Sequence, residues 1–128
     1  MRKIIETKNA PAPIGPYSQA VQINNTLYTS GQIAINPNTG ELNTGTITAE
    51  TQQVMSNLKA VLAAADMHFD DVIKSTIYIS NMDDFTAINS VYGSYFNEAI
   101  APARETVEVA KLPKNVNVEI SVVAIKQA

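Results

Sequence analysis

The segment 117–126 restricts the fold more than any other part of the chain. Successive side chains of a β-strand point to opposite faces of the sheet, so the two faces of this segment can be read directly from the sequence. One face carries Val118, Ile120, Val122 and Ala124, and the other carries Glu119, Ser121, Val123 and Ile125. Because both faces are largely apolar, we expect a strand that lies inside a sheet and is covered on both sides.

Two other segments show the apolar periodicity of amphipathic helices. The first, 49–65, is expected to have Thr48 as its N-cap. The second, about 83–98, is expected to be capped by Asn81 or Asp83. The apolar stripes are Val54, Leu58, Val61, Leu62 and Ala65 in the first helix, and Phe85, Ile88, Tyr92, Tyr95 and Phe96 in the second.

Strands and turns complete an alternating pattern. Strands are predicted at 3–6, 18–23, 26–32, 71–80, 104–111 and 117–126, with loops at 8–16 and 36–46. Asn24-Asn25 is expected to form a tight hairpin turn. The order β-β-β-α-β-α-β-β predicts an α+β fold, with a mixed sheet of about six strands, two helices on one face, and a single domain over 1–128. We expect another copy of the protein to cover the second face.

Composition excludes several kinds of site. The chain has 128 residues, 9 basic and 12 acidic, and a net charge of −3, which gives no broad attraction to nucleic-acid phosphates or anionic lipid. There is no cysteine, so disulfides, thiolate catalysis and cysteine metal sites are excluded. His68 is the only histidine, so a two-histidine metal site cannot form within one chain. No apolar stretch has signal-peptide or membrane-spanning length, and we expect a cytoplasmic protein.

Arg104 and Glu119 are the strongest candidates for chemistry. Arg104 follows a proline-containing turn at the start of an apolar strand, and its planar guanidinium matches a carboxylate in two parallel hydrogen bonds. Glu119 lies among apolar neighbours, where a carboxylate needs a partner or has a raised pKa. From the residues alone, the alternatives are a surface arginine or a structural ion pair between the two.

A second group of candidates lies near the first strands. Tyr17, Ser30 and Gly31 fall at breaks in these strands. A hydroxyl from Ser30 and a closely approaching backbone N–H of Gly31 could contact a ligand. An ordinary bulge or strand end is the alternative interpretation.

Five segments in order resemble the RidA family, also called YjgF-like proteins. These segments are 10–19 (APAPIGPYSQ), 29–33 (TSGQI), 57–61 (NLKAV), 84–92 (DFTAINSVY), and 102–114 (PARETVEVAKLPK), which is followed by 118–120 (VEI). The resemblance extends from about residue 4 to residue 125. It implies a chorismate-mutase-like fold and a homotrimer with clefts between subunits.

The resemblance also implies an activity. Family enzymes hydrolyse 2-imino acids, such as 2-iminobutanoate and 2-iminopropanoate, that form from enamines released by pyridoxal-phosphate-dependent serine and threonine dehydratases. The products are a 2-oxo acid and ammonia, and the members use no cofactor or metal. A non-catalytic regulatory trimer that binds small carboxylates is the first alternative. A nucleic-acid-binding protein or ribonuclease is the second, against which the net charge and the single histidine argue.

The resemblance assigns roles to individual positions. It implies that Arg104 binds the substrate carboxylate and that Glu119 positions the attacking water and helps to move its proton. The remaining positions, expected to line or support the cleft, are Tyr17, Ser30, Gly31, Asn89 and Thr106.

Thr106 stands where many members have cysteine, and its backbone carbonyl is expected to hold the water. Two other positions depart from the family pattern. Glu105 replaces a small residue, and we expect it to point to the opposite strand face from Arg104. Ser121 replaces a second glutamate. Both departures bear on substrate preference rather than on the fold.

Overall fold

The computed structural model describes residues 1–127 and contains one six-stranded sheet and two α-helices. The strands are β1 (Arg2–Ile5), β2 (Ala20–Ile23), β3 (Thr26–Thr29), β4 (Val72–Ile79), β5 (Ala103–Glu108) and β6 (Val118–Ile125). The helices are α1 (Ile47–Ala64) and α2 (Phe85–Gly93). The predicted order and the α+β class are confirmed, and no helix within 1–127 is long and apolar enough to cross a membrane.

The sheet is mixed, with strand order β1-β2-β3-β6-β4-β5. Only β4 and β5 pair in parallel, and every other neighbouring pair is antiparallel. β6 therefore lies inside the sheet, as its two apolar faces predicted. β2 and β3 form the expected hairpin, in which Ile23 pairs with Thr26 and Asn24 has a φ of 53°, a conformation that asparagine tolerates in a two-residue turn.

One face of the sheet and both helices enclose the core. The sheet contributes Leu27, Ile77, Ile120, Val122 and Ala124, and the helices contribute Val54, Leu58, Leu62 and Ile88. The alternating burial along β6 follows from this arrangement, because Val118, Ile120 and Val122 are buried while the residues between them are only half-buried. The helices thus cover one face, and the opposite face is open in a single chain.

The open face is apolar across four strands. Ile4, Val21, Tyr28 and Val123 are register partners on β1, β2, β3 and β6 and therefore point to the same side. Ile4 and Tyr28 are exposed. A contiguous apolar surface of this kind is typical of an interface.

The helix ends differ from the prediction in two places. Thr46, rather than Thr48, is the N-cap of α1, and its Oγ1 accepts a hydrogen bond from the Ala49 N–H at 3.0 Å. The prediction of Thr48 was wrong because α1 begins at Ile47, two residues before the predicted start at 49, so Thr48 already lies inside the helix. Asn81, one of the two predicted caps, accepts from the Asp83 N–H and begins a 3₁₀ turn that leads into α2.

α2 ends at Gly93, well before the predicted position 98. Gly93 has low helix propensity, and the Ser94 hydroxyl donates to the Val91 carbonyl at 2.6 Å, which competes with helix continuation. The apolar residues beyond the helix still pack as the stripe predicted. The rings of Tyr95 and Phe96 lie 5.3 and 5.2 Å from the ring of Phe69.

Candidate active site

Arg104 is held by one stripe of α2. Phe85, Asn89 and Tyr92 recur at helical spacing on the side of α2 that faces β5. The Arg104 guanidinium carbon lies 5.1 Å from the centre of the Tyr92 ring and 5.7 Å from that of Phe85, within the range of cation–π attraction. Its Nη1 donates to Oδ1 of Asn89 at 2.7 Å.

This arrangement leaves most donors of Arg104 free. A guanidinium carries five N–H groups, and the contact with Asn89 uses one nitrogen. The side chain is exposed at the wall of an open cavity of about 680 Å³, which is also lined by Ser90, Glu98 and Pro102. A small carboxylate that enters this cavity can accept two parallel hydrogen bonds from Arg104.

Glu119 lies against the backbone of Gly31. The two residues are close because Gln32 and Ile120 form an isolated antiparallel bridge, with N–H···O distances of 2.8 and 3.1 Å. A Cβ atom on Gly31 would lie 2.2 Å from Oε2 of Glu119, so glycine leaves room for the carboxylate in its present position, and any larger residue would require the Glu119 side chain to shift. Burial raises the pKa of the half-buried Glu119 carboxyl above its usual value.

A second, smaller cavity surrounds Glu119. Its volume is about 80 Å³, and Tyr17 and Gly31 line it together with Glu119. The loop that carries Tyr17 is anchored by Gln19, whose buried side-chain amide donates to the carbonyls of Ala10 and Pro11 at 3.2 and 2.8 Å. This role of Gln19 could not be predicted, since a glutamine in a loop has no periodic pattern to mark it.

Ser30 supports this second cavity from behind. Its hydroxyl donates to the Ser18 carbonyl at 2.6 Å, and its N–H donates to the Gln19 carbonyl at 2.9 Å. The hydroxyl proton is therefore used within the protein rather than offered to a ligand. Of the sequence-predicted residues near the first strands, Tyr17 and Gly31 line the cavity, and Ser30 fixes the loop beside it.

Arg104 and Glu119 point to opposite faces of the sheet. Arg104 is the register partner of Ser75 on β4, and Glu119 is the register partner of Tyr78 on the same strand. Ser75 and Tyr78 are three residues apart, so they and their partners lie on opposite sides. The structure groups Arg104 with Asn89 and Glu119 with Tyr17 and Gly31. It does not bring the two groups together within one chain.

Thr106 shares the face of Arg104. It lies two residues further along β5 and pairs with the buried Ile77. Among the described residues 1–127, its Oγ1 is a buried side-chain oxygen without a hydrogen-bond partner. Buried hydroxyls are normally hydrogen-bonded, so the Thr106 hydroxyl is unusual in having no hydrogen-bond partner within the described part of the chain.

The two departures from the family pattern lie on the open face. Glu105 forms an ion pair with Lys74 at 3.2 Å and accepts from the Thr76 hydroxyl at 3.0 Å. These two contacts lower the pKa of the Glu105 carboxyl. Ser121 is the register partner of Thr76 and lies in the same row. Glu105 is thus turned away from Arg104, as expected, and its charge is already paired.

His68 and Glu50 lie outside both cavities but differ in importance. The His68 side chain is 76% exposed and lies 3.5 Å from Asp71, as expected for a surface histidine. Glu50 is fully buried and accepts from the N–H groups of Asn117 and Val118 at 2.7 and 3.1 Å. Glu50 thus fixes the start of β6, beside Glu119, a role that no pattern in the sequence indicated.

The fold and the Arg104 cavity together define an α+β protein with a candidate site for a small carboxylate. Within residues 1–127, no group of three His, Asp or Glu side chains is arranged to hold a metal ion. The chain belongs to the RidA/YjgF family. The family model described as Endoribonuclease L-PSP matches residues 7–126.

Several known proteins are similar over nearly their whole length. A 2-iminobutanoate/2-iminopropanoate deaminase from Dermatophagoides farinae is 51% identical over 97% of this chain and 96% of its own. The structure of a Rid-family protein of unknown function from Yersinia pestis has a TM-score of 0.95, at 49% identity over 98% of this chain and 100% of that one. Escherichia coli TdcF, solved with bound serine, has a TM-score of 0.92 at 42% identity, over 98% and 99% of the chains.

Proposed function

We propose that the protein hydrolyses reactive 2-imino acids, 2-iminobutanoate and 2-iminopropanoate, to 2-oxo acids and ammonia. Its substrates would arise from enamines released by pyridoxal-phosphate-dependent serine and threonine dehydratases. The observation that carries the proposal is the Arg104 guanidinium, held by Asn89, Phe85 and Tyr92 with free donors directed at an open cavity. Relatives named for this deaminase activity support the same assignment.

The proposed reaction requires that the substrate is held in a fixed orientation and that one group accepts and returns a proton. Arg104 holds the substrate carboxylate, and Glu119 accepts a proton from a water molecule as the water oxygen attacks the imine carbon. Starting from the protonated imine, the C=N double bond becomes a C–N single bond as its electron pair moves to the nitrogen, which gives a neutral amino alcohol. Glu119 then returns its proton to the nitrogen. The C–N bond breaks, ammonia leaves, and the hydroxyl proton passes to the Glu119 carboxylate as the carbonyl forms. Burial raises the pKa of Glu119, which makes its carboxylate a stronger base.

A complete site requires two copies of the chain. Arg104 and Glu119 face opposite sides of one sheet, so a substrate of a few atoms cannot contact both within a single protomer. The apolar open face, with exposed Ile4 and Tyr28, supports association through that side. We propose a homotrimer in which Arg104 of one subunit and Glu119 of a neighbouring subunit meet in each cleft, with Tyr17, Gly31 and the Thr106 carbonyl around the substrate.

The test is a coupled assay with a threonine dehydratase in the presence of a trapping amine. The wild type should speed the release of 2-oxobutanoate and reduce the trapped product. Arg104→Ala should lower the rate at least about a hundredfold, which corresponds to roughly 2.7 kcal/mol in the activation free energy, because the two parallel hydrogen bonds that hold and orient the substrate carboxylate are lost. Arg104→Lys keeps the charge without the planar fork and should fall between the two.

Arg2→Ala is the matched control for this assay. Arg2 is the only other arginine, and it lies exposed on β1, at the far edge of the sheet from β5. Its removal changes the net charge by the same amount and should leave the rate unchanged. A wild-type protein that does not alter the trapping kinetics, or an Arg104→Ala variant as active as the wild type, would refute the proposed activity.

A regulatory trimer that binds small carboxylates without turnover is the second candidate. The relative TdcF was solved with bound serine, which favours a ligand site of this type. Calorimetric titration with 2-oxobutanoate and with serine, alongside the coupled assay, separates the two functions. Tight binding without turnover would favour the regulatory role. Salt-sensitive RNA binding would instead support the endoribonuclease description of the family model, which the net charge of −3 disfavours.

A further inference from the structure

The Tyr92 ring beneath Arg104 is itself fixed by a buried hydrogen bond. The Tyr92 hydroxyl donates to Oγ of Ser75 at 2.8 Å, and the two residues are only 5% and 0% exposed. Ser75 on β4 is the direct register partner of Arg104 on β5. The hydrogen bond therefore connects the ring under the guanidinium to the strand position beside the arginine.

Stability alone does not account for this pair of hydroxyls. A typical buried hydrogen bond contributes only about 0.5–1.5 kcal/mol net, and replacing both partners with apolar groups of the same shape is often nearly neutral. Phe85 shows the alternative in the same structure. It also contacts Arg104, but with no polar anchor and at a longer ring distance, 5.7 Å against 5.1 Å for Tyr92.

The geometry of the two anchored contacts determines which side of Arg104 remains free. Asn89 fixes Nη1 through a hydrogen bond of 2.7 Å, and Tyr92 supports the face of the guanidinium. A cation–π contact alone lets the cation slide over a mobile ring, whereas a ring tied to β4 gives it a defined position. With one nitrogen and one face fixed, the remaining N–H groups keep a constant direction into the cavity.

We propose that the Tyr92–Ser75 hydrogen bond is a positioning device for Arg104, and that Tyr92 and Ser75 set the affinity for the substrate carboxylate without touching it. This inference rests on the proposed function, in which Arg104 binds a carboxylate. A bidentate contact with a carboxylate depends on the direction of both N–H groups, so a small shift of the ring under Arg104 should measurably weaken substrate binding.

The first test uses Tyr92→Phe, Ser75→Ala and the double variant. Calorimetry with 2-oxobutanoate gives Kd, and the coupled assay gives KM and kcat. Each single variant should raise Kd and KM about fivefold or more and leave kcat within about twofold, since the ring and the reacting groups remain. The double variant should be no weaker than the weaker single variant, because both remove the same hydrogen bond.

Tyr95→Phe is the matched control. Tyr95 lies just beyond α2 and packs against Phe69, so this variant removes a neighbouring tyrosine hydroxyl that does not support Arg104. Its Kd and KM should equal those of the wild type. A general loosening of the core would lower the melting temperature of all the variants and would not separate Tyr92 from Tyr95.

The second test needs no ligand. The Nε–H signal of Arg104 can be followed by nuclear magnetic resonance, and its assignment is simple because Arg2 is the only other arginine. Tyr92→Phe and Ser75→Ala should increase the mobility and hydrogen exchange of this group, and Tyr95→Phe should not. If the wild type neither binds carboxylates nor turns over imines, the proposed function fails. The resonance measurement still shows in that case whether Tyr92 and Ser75 hold Arg104 in position. An unchanged Arg104 signal together with an unchanged Kd in both single variants would overturn the inference.

Discussion

At Gly31, the addition of a single carbon atom should reduce the activity more than it reduces the stability of the fold. Its backbone is not in the left-handed region, but a Cβ would lie 2.2 Å from Oε2 and 2.9 Å from Cγ of Glu119. Gly31→Ala should therefore push the Glu119 side chain away from its place. We expect the coupled deaminase rate to fall at least about tenfold, which corresponds to roughly 1.4 kcal/mol in the activation free energy, with a smaller loss of thermal stability.

Gly45→Ala is the control for that substitution. A Cβ at Gly45 meets no atom within 4 Å, so the variant makes the same chemical change in open space. Comparing melting temperatures and rates of the two variants isolates the contact with Glu119. A Gly31→Ala protein with the wild-type rate would show that the carboxylate does not need its place against the loop.

The environment of Glu119 predicts how the thermal stability of the protein depends on pH. Burial raises the pKa of this carboxyl in the folded protein, so the ionised form destabilises the fold. That cost is absent below the unfolded-state value, about 4.3, and grows as the pH rises through the folded value. Glu119→Gln should therefore melt at a higher temperature than the wild type at pH 7, and the difference should vanish near pH 4.

Glu105→Gln gives the opposite trend and serves as the comparison. Contacts with Lys74 and Thr76 lower the pKa of the Glu105 carboxyl, so its ionised form stabilises the fold at neutral pH. This variant should melt at or slightly below the wild-type temperature at pH 7, and the gap should close on acidification. Parallel pH trends for the two variants would contradict the assigned environments.

The residue scale also shows what sequence reasoning can and cannot supply. The strand position of Arg104 and the apolar stripe that includes Phe85 and Tyr92 were visible in the sequence, and Asn89 was indicated only by the family resemblance. Their contact was not, because it depends on the parallel pairing of β5 with β4, which brings segments distant in sequence together. From the residues alone, Arg104 could equally be a surface arginine. Its role in binding the substrate carboxylate came from the family motifs, and that role remains a prediction.

At the scale of elements, the N-cap of α1 gives a test of a corrected assignment. Thr46 accepts from the Ala49 N–H, whereas Thr48 lies inside the helix. Thr46→Ala should reduce the free energy of unfolding by about 1 kcal/mol, a typical value for loss of a threonine cap. Thr48→Ala should cost little or slightly stabilise, because alanine has the higher helix propensity. Urea unfolding of both variants measures the difference, and equal losses would reject Thr46 as the cap.

Periodicity predicted that the helices and strands exist, but it could not predict where each one ends. The end of α2 depends on the low helix propensity of Gly93 and on the hydrogen bond from the Ser94 hydroxyl. The stripe that predicted α2 continues through Tyr95 and Phe96, and both still pack on the core although the helix ends at Gly93. Apolar periodicity reports which side chains are buried, and it cannot tell a helix from a turn that buries the same residues. Glu50 shows the same limit, since its bond to the start of β6 joins positions far apart in the sequence.

At the scale of the whole molecule, the two apolar faces of β6 gave the most far-reaching prediction. The helices cover the face of Val118, Ile120 and Val122, and the face of Glu119 is open in one chain. A period of two residues fixes which side chains share a face, so the opposite orientation of Arg104 and Glu119 follows once the register is known. The sequence alone could not supply that register, because it did not fix which strands are neighbours.

The shared cleft can be tested by mixing two inactive subunits. Arg104→Ala and Glu119→Gln proteins should each lack activity, but after joint refolding some clefts combine an intact Arg104 from one subunit with an intact Glu119 from another. In a random equal mixture of a cyclic oligomer, about a quarter of the clefts meet this condition, so about a quarter of the wild-type rate should return. Mixing the two folded proteins without exchange is the control and should restore nothing. If subunit exchange is verified by native mass spectrometry and the rate stays at the level of the single variants, then Arg104 and Glu119 do not act in the same cleft from different chains.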